Sequence, residues 1–162
     1  MGVEMERKFL VSGQQWREGV EGTQYLQGYL CRGRGRTVRV RCAGANAFLT
    51  IKGPSTGVSR AEFEYPIPKQ DALELLGLCE GPLIEKLRFR IPFEGHLWEV
   101  DEFQGRNAGL LLAEVEFSRP DEAVALPAWV GEEVSGDSRY FNSNLSICPF
   151  QEWPNHIEPQ PE

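Results

Sequence analysis

A chain of 162 residues, 41% of them hydrophobic and 10% aromatic, has room for one domain with one substantial core, which excludes wholesale disorder. A formal net charge of −7 argues against a protein held to nucleic acid by bulk phosphate attraction, yet leaves room for a basic groove that takes small anions inside an acidic exterior. The four cysteines, Cys31, Cys42, Cys79 and Cys148, form no CxxC pair and have no neighbouring histidine, so neither a zinc site nor a redox motif is supported.

Alternation with a period of two residues marks strand-like segments, in chain order, at 3–10, 22–31, 36–43, 46–52, 58–67, 82–92, 96–103 and 110–118. The first opens Met1-Gly2-Val3-Glu4-Met5-Glu6-Arg7-Lys8, too charged for a secretory signal, and no run approaches the roughly 20 apolar residues of a membrane helix. The expectation is a cytoplasmic protein with reduced thiols and neither membrane nor nucleic acid as partner. Residues 12–18 allow a helical turn or two. Connections such as Gly44-Ala45-Asn46, Gly53-Pro54-Ser55-Thr56-Gly57 and Phe93-Glu94-Gly95-His96 are short and rich in turn formers, which favours antiparallel hairpins. Pro68 at a first turn, apolar residues at helical spacing and a terminal Gly77 predict a helix over 68–77. Shorter helices are expected after Asp121 and over 140–147. Pro154, Pro159 and Pro161, with little apolar periodicity, predict an extended or mobile tail over 149–162 behind a single domain of residues 1–148. The class is α+β, mainly antiparallel β, and eight strands suit a barrel.

Carboxylates stand two residues apart at Glu4 and Glu6, Glu62 and Glu64, Glu99 and Asp101, and Glu114 and Glu116; bases do so at Arg39 and Arg41 and at Lys86, Arg88 and Arg90. Residues two apart on a strand share a face, so these like charges repel. Val40, Ile51, Phe63, Leu87, Phe89 and Val115 take the opposite faces. For any one strand this is the ordinary pattern of an antiparallel sheet with a wet side. Across the chain, however, whole strands commit to one sign, and exposed cross-strand pairs worth a few tenths to about 1 kcal/mol do not explain that. A sheet closed into a barrel, with the charged face inward and helices over the apolar outside, gives the segregation a purpose. Hard ions such as Mg²⁺ or Mn²⁺ take carboxylate oxygens, and Arg and Lys take phosphate oxygens. With His96 in a turn and His156 in the tail as the two histidines, a histidine zinc site does not fit. The residue types point to a metal-bound polyphosphate.

The opening Glu4-Met5-Glu6-Arg7-Lys8 resembles the ExExK signature of the CYTH superfamily, the triphosphate tunnel metalloenzymes, in its short bacterial branch. Gln27-Gly28-Tyr29-Leu30, Val38-Arg39-Val40-Arg41, Leu49-Thr50-Ile51-Lys52, Arg60-Ala61-Glu62-Phe63-Glu64, Ile84-Glu85-Lys86-Leu87-Arg88, Glu99-Val100-Asp101-Glu102-Phe103 and Ala113-Glu114-Val115-Glu116-Phe117 follow in the order of that branch, as do Gly131-Glu132-Glu133-Val134, Arg139-Tyr140 and Asn142. The resemblance implies an eight-stranded antiparallel tunnel open at both ends, with a divalent metal acting on a triphosphate-containing small molecule. It also implies roles. Glu4, Glu6, Glu114 and Glu116 would hold the metal, with Asp101, Glu62 and Glu64 nearby for a second metal or the attacking water; Lys8, Arg39, Arg41, Lys52, Lys86 and Arg88 would clamp phosphates, with Arg90 and Arg139 as further candidates. Lys86 would guide the water or its proton, with Glu62 or Glu64 as competing bases. Tyr29 would either tune Lys8 or pack as a strand tyrosine. Ser138 and Phe141 stand where some relatives carry Lys, which bears on any phosphate contact by that element. The basic run Cys31-Arg32-Gly33-Arg34-Gly35-Arg36 reads as a glycine-rich hairpin. The expected reaction is hydrolysis of inorganic triphosphate to pyrophosphate and phosphate, by a monomer or homodimer. A class IV adenylate cyclase, a thiamine or nucleoside triphosphatase and a non-catalytic polyphosphate-binding module are the alternatives.

Overall fold

The computed structural model describes residues 2–154. Nine strands appear in it: β1 Gly2–Val11, β2 Gly22–Gly33, β3 Arg36–Ala43, β4 Asn46–Lys52, β5 Ser59–Pro66, β6 Glu80–Phe93, β7 His96–Phe103, β8 Leu111–Glu116 and β9 Val130–Glu133. Helix α1, Lys69–Leu76, joins β5 to β6, and a one-turn helix α2, Asn142–Leu145, follows β9. All pairings are antiparallel, in the order β5-β4-β3-β2-β6-β7-β8-β1-β9, and β5 also pairs with β1. That last pairing closes eight strands into a barrel, as the sequence predicts. Two hairpins turn on residue pairs with positive φ, Arg34-Gly35 (53° and 77°) and Glu94-Gly95 (47° and 87°), the turn type whose twist matches that of the flanking strands.

The strand β1 carries the seam. One of its edges meets β8 from Glu6 to Leu10; the other meets β5 from Gly2 to Met5 and then β9 at Phe9 and Val11. β9 therefore continues the edge that β5 abandons. The sequence does not anticipate this strand, because four residues with three of them exposed carry no alternation.

Alternation turns the barrel inside out. Glu4, Glu6 and Lys8 face the bore, and Phe9 faces outward, as do Val40, Phe89, Trp98, Val100 and Val115. These outward residues are buried because other segments cover them. α1 lays Ala72 and Leu76 over Val40, Cys42 and Ala47. Trp16, from a 3-10 turn at Gln15–Arg17, packs edge-on to Phe89 at 5.0 Å, and Trp129 packs edge-on to Trp98 at 5.8 Å.

A third cluster lies inside one end. Ile84, Phe103 and Leu112 share strand faces with Lys86, Asp101 and Glu114, and they pack with Tyr140, Leu145 and Trp153 from the C-terminal segment. The tunnel expected to be open at both ends is thus filled across part of one end, because its inward positions there are apolar. Two further expectations are corrected. No helix follows Asp121: residues 121–129 run irregularly, with Pro127 in the segment that delivers Trp129 to its cluster. Nor is the chain from 149 to 154 extended, since Phe150–Glu152 form a 3-10 turn and Trp153 is buried, edge-on to Tyr140 at 5.0 Å and to Phe150 at 5.1 Å. The Trp153 indole N–H donates to the Cys148 carbonyl at 3.0 Å. The rest of the expected tail, residues 155–162, lies outside the described residues. Among the described residues no helix is long and apolar enough to cross a membrane.

Candidate active site in the barrel bore

The bore encloses about 560 Å³ and is lined by side chains of eight strands together with Ser135, Phe141, Asn142 and Ser143 of the C-terminal segment. Its acidic focus is Glu4, Glu6 and Glu116, each offering one carboxylate oxygen within 4.8 Å of the others. Register explains the meeting. Glu6 and Glu116 are direct partners across β1 and β8, and Glu4 is two residues down the same face from Glu6. Glu4 is partly neutralised by the Lys52 ammonium at 2.9 Å, but among the described residues Glu6 and Glu116 enter no ion pair. Burial, with Glu114 and Glu4 beside it, pushes the Glu6 carboxyl up to about 8. Glu116 rises to about 7 through burial and the charges of Glu4, Glu99 and Glu62. Crowded hard oxygen donors whose like charge Lys8 and Lys52 relieve only in part fit a divalent ion such as Mg²⁺ or Mn²⁺.

The other carboxylates expected at a metal are otherwise engaged. Asp101 is buried; its Oδ2 accepts from Lys86 Nζ at 2.7 Å and Arg88 Nη2 at 2.8 Å, and its Oδ1 from Arg88 Nε at 2.7 Å. Although burial opposes ionisation, these cations hold Asp101 below the usual carboxylate range. Glu114 meets Lys8 at 3.3 Å and Arg88 at 3.5 Å, and, burial notwithstanding, those charges push it far down. Cross-strand partnership again decides, since Arg88 faces Asp101 and Lys8 faces Glu114 in register. Glu62 and Glu64 line the bore: Glu62 is 3.7 Å from Lys52 and is raised by burial and by Glu4, whereas Glu64 accepts from Thr50 at 3.0 Å and lies 3.5 Å from Arg39.

Lys8, Arg39, Arg41, Lys52, Lys86 and Arg88 all line the bore, so six predicted phosphate contacts share one cavity. The buried Nε of Arg39 has no hydrogen-bond partner among the described residues. Arg90 lines the bore at its rim, 64% exposed and 3.8 Å from Glu99. Arg139 stays outside; it is exposed, holds Asp137 at 2.6 Å and stacks over Trp153, while the neighbouring Phe141 and Asn142 face inward. Tyr29 packs in the apolar end cluster and also lines the bore, its hydroxyl accepting from Gln27 Nε2 at 3.5 Å, while the Lys8 ammonium meets the Tyr140 carbonyl at 3.3 Å and the Phe141 ring at 5.6 Å.

Lys86 is fully buried, donating to Asp101 and, at 3.0 Å, to Asn142 Oδ1. Burial, reinforced by Arg88 and Arg41 and only partly offset by Asp101, brings its ammonium down to about 7. Charge patterning overlooks two amides here. Gln27 accepts from Arg41 Nε at 2.7 Å through Oε1 and donates through Nε2 to Asn142 Oδ1 at 3.2 Å, so Arg41, Gln27, Asn142 and Lys86 form one partly buried chain. The sequence signal was parity, since Gln27 shares the inward face of β2 with Tyr25.

A closed antiparallel barrel whose bore opposes a carboxylate trio to a wall of bases is built for a small polyanion and its counter-ion. The chain belongs to the CYTH domain family, whose model matches residues 2–144. It is 49% identical over 152 residues to an inorganic triphosphatase of Acetivibrio thermocellus, which covers 93% of this chain and 97% of that protein. It is 38% identical over 150 residues to an inorganic triphosphatase of Nitrosomonas europaea, covering 89% of this chain and 97% of the relative. A crystal structure of an inorganic triphosphatase superposes with a TM-score of 0.66 at 34% identity, covering 91% of this chain and 96% of the other.

Proposed function

We propose that this chain hydrolyses inorganic triphosphate to pyrophosphate and phosphate inside the bore, with Mg²⁺ or Mn²⁺ held by Glu4, Glu6 and Glu116. The observation that carries the reading is that trio, in which Glu6 and Glu116 enter no ion pair among the described residues, in the same cavity as six buried or half-buried bases. The names of the two curated relatives support the substrate. An ion held by Glu4, Glu6 and Glu116 would supply charge neutralisation at the phosphate oxygens and help to orient the substrate. Arg39, Arg41, Lys52 and Lys8 bind the remaining phosphate oxygens, Arg39 through its unpartnered Nε. Phosphoryl transfer needs little covalent help, so positioning and charge neutralisation supply most of the acceleration. Water attacks the terminal phosphorus in line with the bridging oxygen, which leaves on pyrophosphate. Lys86, brought down to about 7 and standing apart from the metal trio, handles the water's proton. Glu62 and Glu64 are assigned to orienting Lys52, Thr50 and Arg39.

The test is phosphate release from inorganic triphosphate with Mg²⁺ or Mn²⁺, alongside pyrophosphate, ATP and thiamine triphosphate, and with EDTA as control. Metal-dependent release that is fastest from inorganic triphosphate is expected. Tight binding without release would make the protein a polyphosphate receptor; preference for ATP with cyclic product would make it a cyclase.

A further inference from the structure

Tyr25 lies on β2 in register with Lys86 of β6 on one side and Ala43 of β3 on the other, and its ring lines the bore. Three cations converge on that ring. The guanidinium carbons of Arg41 and Arg88 lie 4.9 Å and 5.0 Å from its centroid, and the Lys86 ammonium lies 6.0 Å away. Like charges gathered so closely repel, and something must hold them together without cancelling them.

Their partners differ. Lys86 and Arg88 share the Asp101 carboxylate, whereas Arg41 enters no ion pair among the described residues. Its Nε donates to the buried Gln27 amide at 2.7 Å, and the Tyr25 ring is its other neighbour of note. Both are neutral. Burial first, and then the facing charges of Arg39 and Arg88, bring the Arg41 guanidinium down to about 10, with Asp101 offsetting them only in part. A carboxylate placed there would cancel the charge that a phosphate needs. An aromatic face attracts a guanidinium through its quadrupole and leaves the net charge intact.

We infer that Tyr25 is a positioning residue: its ring face gathers Arg41, Lys86 and Arg88 at one level of the bore and keeps the charge of Arg41 unspent for the phosphates of the substrate. The inference rests on the triphosphate reading of the bore. It differs from the role of a strand tyrosine packed in a core, because three cations lie over the ring, and from that of a hydroxyl donor, because the face is what the cations meet.

The experiment compares Tyr25→Leu with Tyr25→Phe in the full chain. Two quantities are read: kcat and KM for inorganic triphosphate with Mg²⁺, and calorimetric binding of inorganic triphosphate to the metal-free protein. Tyr25→Leu is expected to raise KM and the metal-free dissociation constant on the order of tenfold, with kcat within about threefold of wild type. Tyr25→Phe, which keeps the ring, is expected to restore both constants to within about twofold of wild type. Should Tyr25→Leu melt early, Tyr25→Met, of similar bulk and without a ring, gives the same comparison. Unchanged binding in the ringless variants would overturn the inference, and so would equal losses in Tyr25→Phe and Tyr25→Leu, which would assign the effect to the hydroxyl. Wild-type protein that bound triphosphate without cleaving it would defeat the hydrolytic reading alone, and the binding comparison would still decide the role of Tyr25. Wild-type protein that did neither would defeat both.

Discussion

Lys86 shows how a single residue becomes useful by being placed where its charge is poorly tolerated. Its ammonium lies within 2.7 Å of a carboxylate, yet burial and two arginines outweigh that partner and bring it down to about 7. At saturating Mg²⁺, kcat/KM is expected to rise between pH 6 and 8 as Lys86 loses its proton and becomes able to accept one. Lys86→Ala should lower kcat by roughly 10²–10⁴-fold, change KM far less and flatten that rise. A wild-type profile without any rise would remove Lys86 from the proton path. Glu6 carries the opposite sign. Its folded value of about 8 stands above the ordinary 4.5, so the metal-free fold loses stability as pH climbs from about 4.5 to about 8. Glu6→Gln should therefore raise the metal-free Tm at pH 8.5 while weakening Mg²⁺ binding by more than about tenfold, both read from thermal melts with and without metal. The charged residues of the site were legible in the sequence, because period two announces which side chains share a face. Their partners were not: spacing along β7 groups Asp101 with Glu99, and only the register to β6 gives it to Lys86 and Arg88. Gln27 and Asn142, though part of the family resemblance, were given no role because a neutral amide breaks no charge pattern.

At the scale of elements, covers matter as much as strands. The C-terminal segment does two jobs: it buries Tyr140, Leu145 and Trp153 against the apolar end of the barrel, and it presents Asn142 Oδ1 and the Tyr140 carbonyl to Lys86 and Lys8. Trp153→Ala is expected to destabilise the fold by about 3–5 kcal/mol, the usual range for emptying a buried Trp site, and urea unfolding measures it. Loss of under about 1 kcal/mol would show that the segment is not part of the cooperative unit. All eight barrel strands were readable from alternation and turn chemistry, with ends shifted by a residue or two. The elements misread share a cause. β9 is four residues long, the segment 121–129 is held by where Trp129 docks, and the chain around Trp153 is held by aromatic edges from elsewhere; tertiary contacts, not local propensity, fix all three.

The whole molecule stores its apolar packing around and at one end of a charged channel, so an occupant of the channel adds stability that the empty barrel lacks. Mg²⁺ at about 100 times its dissociation constant should stabilise the fold by about 2.7 kcal/mol. Because the ion must displace protons from Glu6 and Glu116, which sit near 8 and 7, the thermal shift should be larger at pH 8 than at pH 6. A shift independent of pH would mean that the ion sits elsewhere. Closure itself was inferable from the need to give sorted charges an interior and from the family resemblance, since no local signal tells β1 that it will meet β5, β8 and β9.

That triple pairing bears on biosynthesis. β1 finds its partners at residues 59–62, 112–116 and 130–133, so during synthesis it waits for segments made well after it. A nascent chain halted before residue 130 already owns every carboxylate of the metal trio, but it leaves an amide-lined margin of β1 bare. Such a fragment is prone to pair with its own kind, and its unfinished cavity would offer an ion no settled coordination.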